Sequence, residues 1–219
     1  MLKKLLLILC FVLCAVSVAP ADITSCGSTV LLGHLDDLTS DGTFWTYWKG
    51  LRVAAAASDS TAGCFKIRIV SDGGATDSQV GYALYEDNSG EVGTLMCSGY
   101  QDHYDWTTIG TGVHTFQLDT VHTTRNIVAG NQYWLLMICP QTEIMIERGP
   151  AGTEIRRGSP STDYQNPPTS GITTVFETCT YSWAVTDASF SIGGCGVKQE
   201  INGCEILAET NAPDILVSQ

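Results

Sequence analysis

Cys64-Phe65-Lys66-Ile67-Arg68-Ile69-Val70 alternates apolar and charged residues with a period of two. Successive side chains of an extended strand point to opposite faces, so Phe65, Ile67 and Ile69 share one face while Lys66 and Arg68 share the other. The stretch reads as a strand with one wet face and one core face.

Working outward, ten further runs are rich in Val, Ile, Thr and aromatics, as strands are: residues 28–35, 44–48, 51–56, 79–85, 94–97, 112–118, 132–139, 142–147, 172–178 and 188–192. Turn clusters separate them, among them Ser40-Asp41-Gly42, Ser71-Asp72-Gly73-Gly74, Glu86-Asp87-Asn88-Ser89-Gly90 and Ala129-Gly130-Asn131. Each supplies residues that tolerate positive φ or preset a turn. Many short strands punctuated in this way predict an all-β fold, an antiparallel β-sandwich of jelly-roll type, and not a parallel α/β sheet. Ala54-Ala55-Ala56-Ala57 is the one stretch with helix propensity, and it is too short to stand alone. Residues 158–169, rich in Pro, Ser, Thr and Asn, read as a long surface loop.

The N-terminus carries a targeting pattern. Lys3 and Lys4 precede an apolar run over residues 5–18, followed by Ala19-Pro20-Ala21 as a small-x-small cleavage site. Residues 1–21 are therefore expected to be a signal peptide, residues 22–194 the sandwich, and residues 195–219 a disulfide loop and tail. The apolar run falls short of the roughly 18–20 residues that span a bilayer, and no later segment is longer, so no membrane span is expected. The destination is the cell exterior or the cell surface. Without Lys3 and Lys4, nine basic residues face 23 acidic ones, a net charge of −14 at pH 7 against −12 for the full chain. Such a surface repels phosphate backbones and anionic lipid, which argues against nucleic acid and membrane surfaces as partners.

Seven cysteines remain after cleavage: Cys26, Cys64, Cys97, Cys139, Cys179, Cys195 and Cys204. They lack the paired C-x-x-C spacing of a zinc site, and in an exported chain they read as disulfides with one left over. Cys195 with Cys204 or Cys179 is the one local pairing expected. Ile23-Thr24-Ser25-Cys26 resembles a bacterial lipobox, and lipidation of Cys26 would leave six cysteines for pairing. Asp22 and Pro20 separate that motif from the apolar run, however, and ordinary cleavage is the favoured reading. The expected bonding set is Cys64, Cys97, Cys139, Cys179, Cys195 and Cys204.

Two segments resemble paired signatures of jelly-roll modules found in secreted and cell-surface prokaryotic proteins. Tyr82-Ala83-Leu84-Tyr85-Glu86-Asp87 is similar to a core strand ending in an acidic turn, and Val128-Ala129-Gly130-Asn131-Gln132-Tyr133-Trp134-Leu135 to a strand entered through a glycine turn. The resemblance covers about residues 44–192 and implies an accessory, adhesive or glycan-binding role. Its motifs encode packing and turns more than chemistry, and a fold does not fix a function.

For catalysis, Glu143-Ile144-Met145-Ile146-Glu147 is similar to the Glu-x-Asp-x-Glu strand of retaining β-glucanases with a jelly-roll fold. That resemblance implies Glu143 as nucleophile and Glu147 as acid/base, but Met145 stands where the tuning Asp belongs and can carry no charge. A solvated strand face explains the same residues. No H-E-x-x-H, G-x-S-x-G, P-loop or dinucleotide fingerprint is present, so no nucleotide cofactor is expected.

For binding, Tyr100-Gln101-Asp102-His103-Tyr104-Asp105-Trp106 mixes rings with hydrogen-bonding groups, as a glycan site does. Tyr100, Asp102, His103, Tyr104 and Trp106 are its candidate contacts, and burial of Trp106 with one tyrosine as an end plug is the competing reading. Phe44-Trp45-Thr46-Tyr47-Trp48 would put Trp45 and Tyr47 on one strand face as a second platform. Asp36, Asp37 and Asp41, and Asp87 in its acidic turn, offer oxygen ligands for a structural calcium, although turn chemistry accounts for them without an ion. The chain is thus expected to be a secreted, non-catalytic binding or adhesion module with a glycan or an extracellular protein as partner. The alternatives are a homo-oligomeric structural subunit of a surface layer, fibre or appendage, and a glycoside hydrolase.

Overall fold

The computed structural model describes residues 22–35, 40–43, 47–54, 58–139, 144–148, 156–159, 161–175 and 183–191. The expected signal peptide, Trp45, Asp36, Asp37, Glu143, Cys179, Cys195, Cys204 and the C-terminal tail lie outside them. Fifteen strands carry the described chain: β1 (Asp22–Gly33), β2 (Ser40–Thr43), β3 (Lys49–Ala54), β4 (Ser60–Thr61), β5 (Cys64–Ser71), β6 (Ser78–Asn88), β7 (Glu91–Tyr104), β8 (Gly112–Gln117), β9 (Thr120–Val121), β10 (Asn126–Ile127), β11 (Gln132–Ile138), β12 (Met145–Arg148), β13 (Arg156–Gly158), β14 (Thr173–Val175) and β15 (Trp183–Ser191). Among the described residues no helix is long and apolar enough to cross a membrane.

The fold is an all-β sandwich with antiparallel pairing throughout these strands. The smaller sheet is built around β5. Strand β8 takes one of its edges from Cys64 to Ile69, while β15 and β12 divide the other edge, β15 along residues 64–67 and β12 at Ile69 and Ser71. Outside those lie β1 beside β15 and β2 beside β12. The larger sheet runs β14-β13-β3-β11-β6-β7-β9. The two signature segments therefore end up side by side, since β11 pairs with β6 from Tyr133↔Glu86 to Ile138↔Gly81.

The main core lies between the sheets, and the alternation in β5 produces it as expected. Phe65, Ile67 and Ile69 are buried there with Phe116 of β8 and Trp183 and Val185 of β15, facing Tyr82, Leu84, Leu51, Leu135 and Met137 from the larger sheet. Phe65 meets Tyr82 across the gap at 5.9 Å between ring centroids, and Tyr82 meets Phe116 at 5.1 Å. Each fully buried aliphatic or aromatic side chain of this kind is worth about 1.5–3 kcal/mol.

The larger sheet departs from the one-wet-face expectation. Along β11 every residue from Tyr133 to Ile138 is buried, because the outward residues Trp134, Leu136 and Ile138 form a second core with Trp48, Ala83, Tyr85 and Leu95. Its cover comes from residues 159–172, of which Tyr164 and Ile172 pack on this layer. The expected free surface loop is thus, in its described part, a strap across the sheet. Trp48 ties it down: its N–H donates to Ser161 O, its carbonyl accepts from Ser159 N, and its indole Nε1 donates to Asp163 O at 2.7 Å. The buried Tyr85 hydroxyl donates to Pro168 O at 3.0 Å. Gly81 makes the close approach feasible, since a Cβ there would collide with the Tyr164 carbonyl.

Further expectations need correction. Tyr47 and Trp48 form no strand, because Trp48 spends its backbone groups on the strap. Ser40-Asp41-Gly42 belongs to strand β2 and not to a turn, pairing with β12 so that Asp41 stands opposite Glu147. Cys64 bonds to Cys26, across 38 positions. This ties the outermost strand β1 to β5, two strands in, and it uses the very thiol that the lipobox reading would modify. Cys97 is a buried thiol and not a disulfide partner, and Cys139 is likewise buried. Burial pushes the Cys97 thiol up to about 12.

Candidate functional site

The segment 100–106 ends β7, and one backbone feature divides it. Gly81 pairs with Tyr100 and Val80 with Gln101, but Ser78 pairs with Tyr104, so β7 carries one residue more than β6 over this stretch. His103 occupies that bulge at φ 58°, a left-handed conformation that costs a non-glycine residue about 1–2 kcal/mol. Histidine is among the side chains that tolerate it, and here Nδ1 of His103 meets Asp77 Oδ1 at 2.5 Å. That hydrogen bond and the Asp77 charge raise the pKa of His103, with a smaller contribution from Asp102.

The bulge switches the sides of the strand. Tyr100 and Asp102 point outward on the larger sheet, and without the extra residue Tyr104 would follow them. Instead Tyr104 turns inward against Trp106 and Phe116, each at 4.9 Å, and its hydroxyl meets His114 Nδ1 at 2.9 Å. Trp106 is fully buried, in a short 3-10 turn capped by Asp105, whose carboxylate accepts from Thr107 N. These two rings are the end plug, Trp106 fully buried and Tyr104 half-buried against it. His114 is a core residue too: its Nε2 faces Gly110 O at 2.8 Å, and burial holds its pKa below the ordinary histidine value.

What remains outside is a smaller group with two members that sequence reasoning missed. Tyr100 is 47% exposed and meets Tyr164 of the strap edge-on, centroids 6.1 Å apart at 71°. The Tyr164 hydroxyl donates to Asp102 Oδ1 at 2.6 Å and accepts from Gln165 Nε2 at 3.0 Å. The bond to Asp102 raises the Tyr164 pKa. An Asx-turn fixes this part of the strap, with Asp163 Oδ1 accepting from the backbone N–H of Gln165 and of Asn166. Tyr164-Gln165-Asn166 is itself an aromatic residue followed by two amides, the signal already read at 100–106 but passed over here for its loop-like surroundings.

The other candidates separate. Tyr47 is half-buried, with Lys49 Nζ 4.6 Å from its ring centroid. Asp87 is no open cation ligand. Arg52 grips it with a two-pronged fork, Nε to Oδ1 at 2.7 Å and Nη2 to Oδ2 at 2.6 Å, and Trp134 Nε1 and Gly90 N also donate to it. These donors, Arg52 first, hold its carboxyl below the usual carboxylate range. Among the described residues no group of three His, Cys, Asp or Glu side chains could hold a metal ion. Of the carboxylates expected for glycoside hydrolysis, Glu147 lies on β12 opposite Asp41.

Among the described residues one nucleophile–base contact occurs: Ser98 Oγ lies 2.9 Å from His122 Nε2. Desolvation alone lowers the His122 pKa, with no carboxylate contributing. Ser98 sits mid-strand, paired with Ala83 on one side and Thr120 on the other. Among the described residues no carboxylate orients His122, and the strand pairing engages the backbone around Ser98. No protein-family model matches the chain, and a search of curated proteins finds no match.

Proposed function

We propose that this chain is a secreted, non-catalytic binding module that engages a neutral glycan on the outer surface of its larger sheet, through Tyr100, Asp102, Tyr164 and Gln165. The observation that carries the reading is the edge-on pair of Tyr100 and Tyr164 with the Asp102 carboxylate and Gln165 amide bonded at its rim. In such a pair at least one ring keeps a face uncovered by the other, and a pyranose presents a flat C–H surface of matching size. The carboxylate and amide supply the acceptor and donor that fix hydroxyl orientation. The acidic chain disfavours anionic polysaccharides. Export follows from the signal pattern over residues 1–21, and the Cys26–Cys64 disulfide is compatible with an oxidising compartment.

A glycan array probed with the oxidised mature protein, followed by calorimetry on the hits, tests this reading. Tyr100→Ala is expected to weaken binding at least about tenfold, the loss of roughly 1.4 kcal/mol, while far- and near-ultraviolet circular dichroism stay unchanged. Tyr164→Phe, which removes only the hydroxyl held by Asp102, should weaken it less. A blank array, or hits indifferent to Tyr100→Ala, rejects the proposal; concentration-dependent self-association in light scattering alongside a blank array would favour the assembly subunit instead.

A further inference from the structure

At the opposite end of the β6–β7 hairpin, about 17 Å from Tyr100 at strand spacing, a cleft of about 670 Å³ opens between the last residues of β6, the start of β11 and the segment around β10. Its walls are set before any ligand arrives. On one side Arg52 and Trp134 clamp Asp87. On the other, Arg125 anchors the segment by donating to Leu118 O and Asp119 O, Ala129 N donates to Asp59 Oδ1 at 2.8 Å, and Val128 N donates to the Tyr133 hydroxyl at 2.8 Å. Gly130, at φ 77°, makes the turn that brings Asn131 to the rim.

These bonds use backbone groups, residues behind the lining and, within it, the Asp87 carboxylate and the Tyr133 hydroxyl. Glu86, Asn126, Asn131 and Gln132, all exposed, line the cleft together with Thr124 and with Val128, which is 47% exposed. Two carboxylates, three amides and the hydroxyls of Thr124 and Tyr133 form a mixed donor–acceptor lining; Asp87 is held by the Arg52 fork and the Tyr133 hydroxyl accepts from Val128 N, while Glu86 lies outside that fork. Anions are repelled there. A lone cation would find one carboxylate outside the Arg52 fork among neutral groups. A vicinal diol matches it: one hydroxyl donates to Glu86 while its neighbour exchanges hydrogen bonds with an amide, and Val128 offers an apolar contact for ring C–H groups.

We infer that this cleft is a second ligand site, distinct from the tyrosine surface, and that it takes an uncharged cyclic saccharide unit through paired hydroxyls. It stands on the cleft alone and holds or fails independently of the site at Tyr100.

Amide chemical-shift titration of the full mature protein with cellohexaose, maltohexaose and mannohexaose tests it, with a polygalacturonate hexamer as the anionic control and sorbitol as the acyclic one. At least one neutral hexasaccharide should shift the amides of Glu86, Asn126, Gly130, Asn131 and Gln132. The apparent Kd should rise by about tenfold or more in an Asn131→Ala/Gln132→Ala variant, while Tyr100→Ala leaves these shifts in place. Shifts confined to the neighbourhood of Tyr100, cleft shifts that survive Asn131→Ala/Gln132→Ala, or equal response to sorbitol or polygalacturonate would each overturn it. No cleft response to any of the three neutral sugars at millimolar concentration would do the same.

Discussion

On the smaller sheet the outward residues of β5 are Cys64, Lys66 and Arg68. Each fastens a neighbouring segment: Cys64 through its disulfide to Cys26, Lys66 Nζ by donating to Gly27 O at 2.8 Å, and Arg68 Nη2 by donating to Leu35 O. On the larger sheet the outward residues Trp134, Leu136 and Ile138 of β11 form a layer onto which the strap packs Tyr164 and Ile172. One outer face is held by a covalent link and long polar side chains, the other by burial. Both faces belong to strands of similar apolar character, so what distinguishes them in sequence is whether charge recurs at every second position. It does in β5, and it does not between Tyr133 and Cys139.

The largest expected effect tests whether the strap layer is a true second core. Trp48→Ala should lower unfolding free energy by about 3–5 kcal/mol, whereas Thr115→Ala, exposed on β8, should stay within about 0.5 kcal/mol. Equal effects in urea denaturation would abolish the distinction. Next, replacing Cys26 and Cys64 together by Ala should cost about 3–4 kcal/mol, as expected for a loop of this length. Hydrogen exchange should then speed up in β1 with little change in β11; the reverse pattern would assign the disulfide to the wrong face.

The third effect concerns Asp87, an outward carboxylate at the end of the strap-covered layer and 9% exposed. Asp87→Asn should cost about 1.5–3 kcal/mol at neutral pH, the range for hydrogen bonds to a charged group. Because its folded pKa is depressed, the contribution is complete above the unfolded carboxylate value of about 3.9 and is lost as pH falls through the lower folded pKa. Thermal midpoints of the two proteins should therefore converge in strong acid. A gap that stays constant down to pH 2 would mean that the Arg52 fork does not stabilise this end of the layer.

The same contrast explains how much was legible in sequence. The all-β sandwich followed from local pattern, and β5 shows why: its alternation is a property of seven consecutive residues. The double burial of β11 depends on residues 159–172, which arrive more than 20 positions later and carry no periodic signal. The site behaved similarly. Tyr100, Asp102 and His103 were candidates by their chemistry and lie on the outer surface, but the extra residue at His103 that sends Tyr104 and Trp106 inward is a feature of pairing between strands, invisible in either strand alone. Tyr164 came to the site through strap packing. Asp87 was weighed between a calcium ligand and a turn residue, and its bond to Arg52 entered neither reading because Arg52 lies 35 positions away. Cys26 was set aside to even the count of cysteines, when geometry between β1 and β5 was what decided its bond.

Cys97 gives the inter-sheet core a clock of its own. Between the closed sheets its thiol is 0% exposed and is held protonated at neutral pH by burial, with a pKa near 12; in the open chain it returns to about 8.5 and becomes nucleophilic. Alkylation can therefore proceed only through moments when the sheets part, and its rate, followed by mass spectrometry without any introduced label, counts those moments directly.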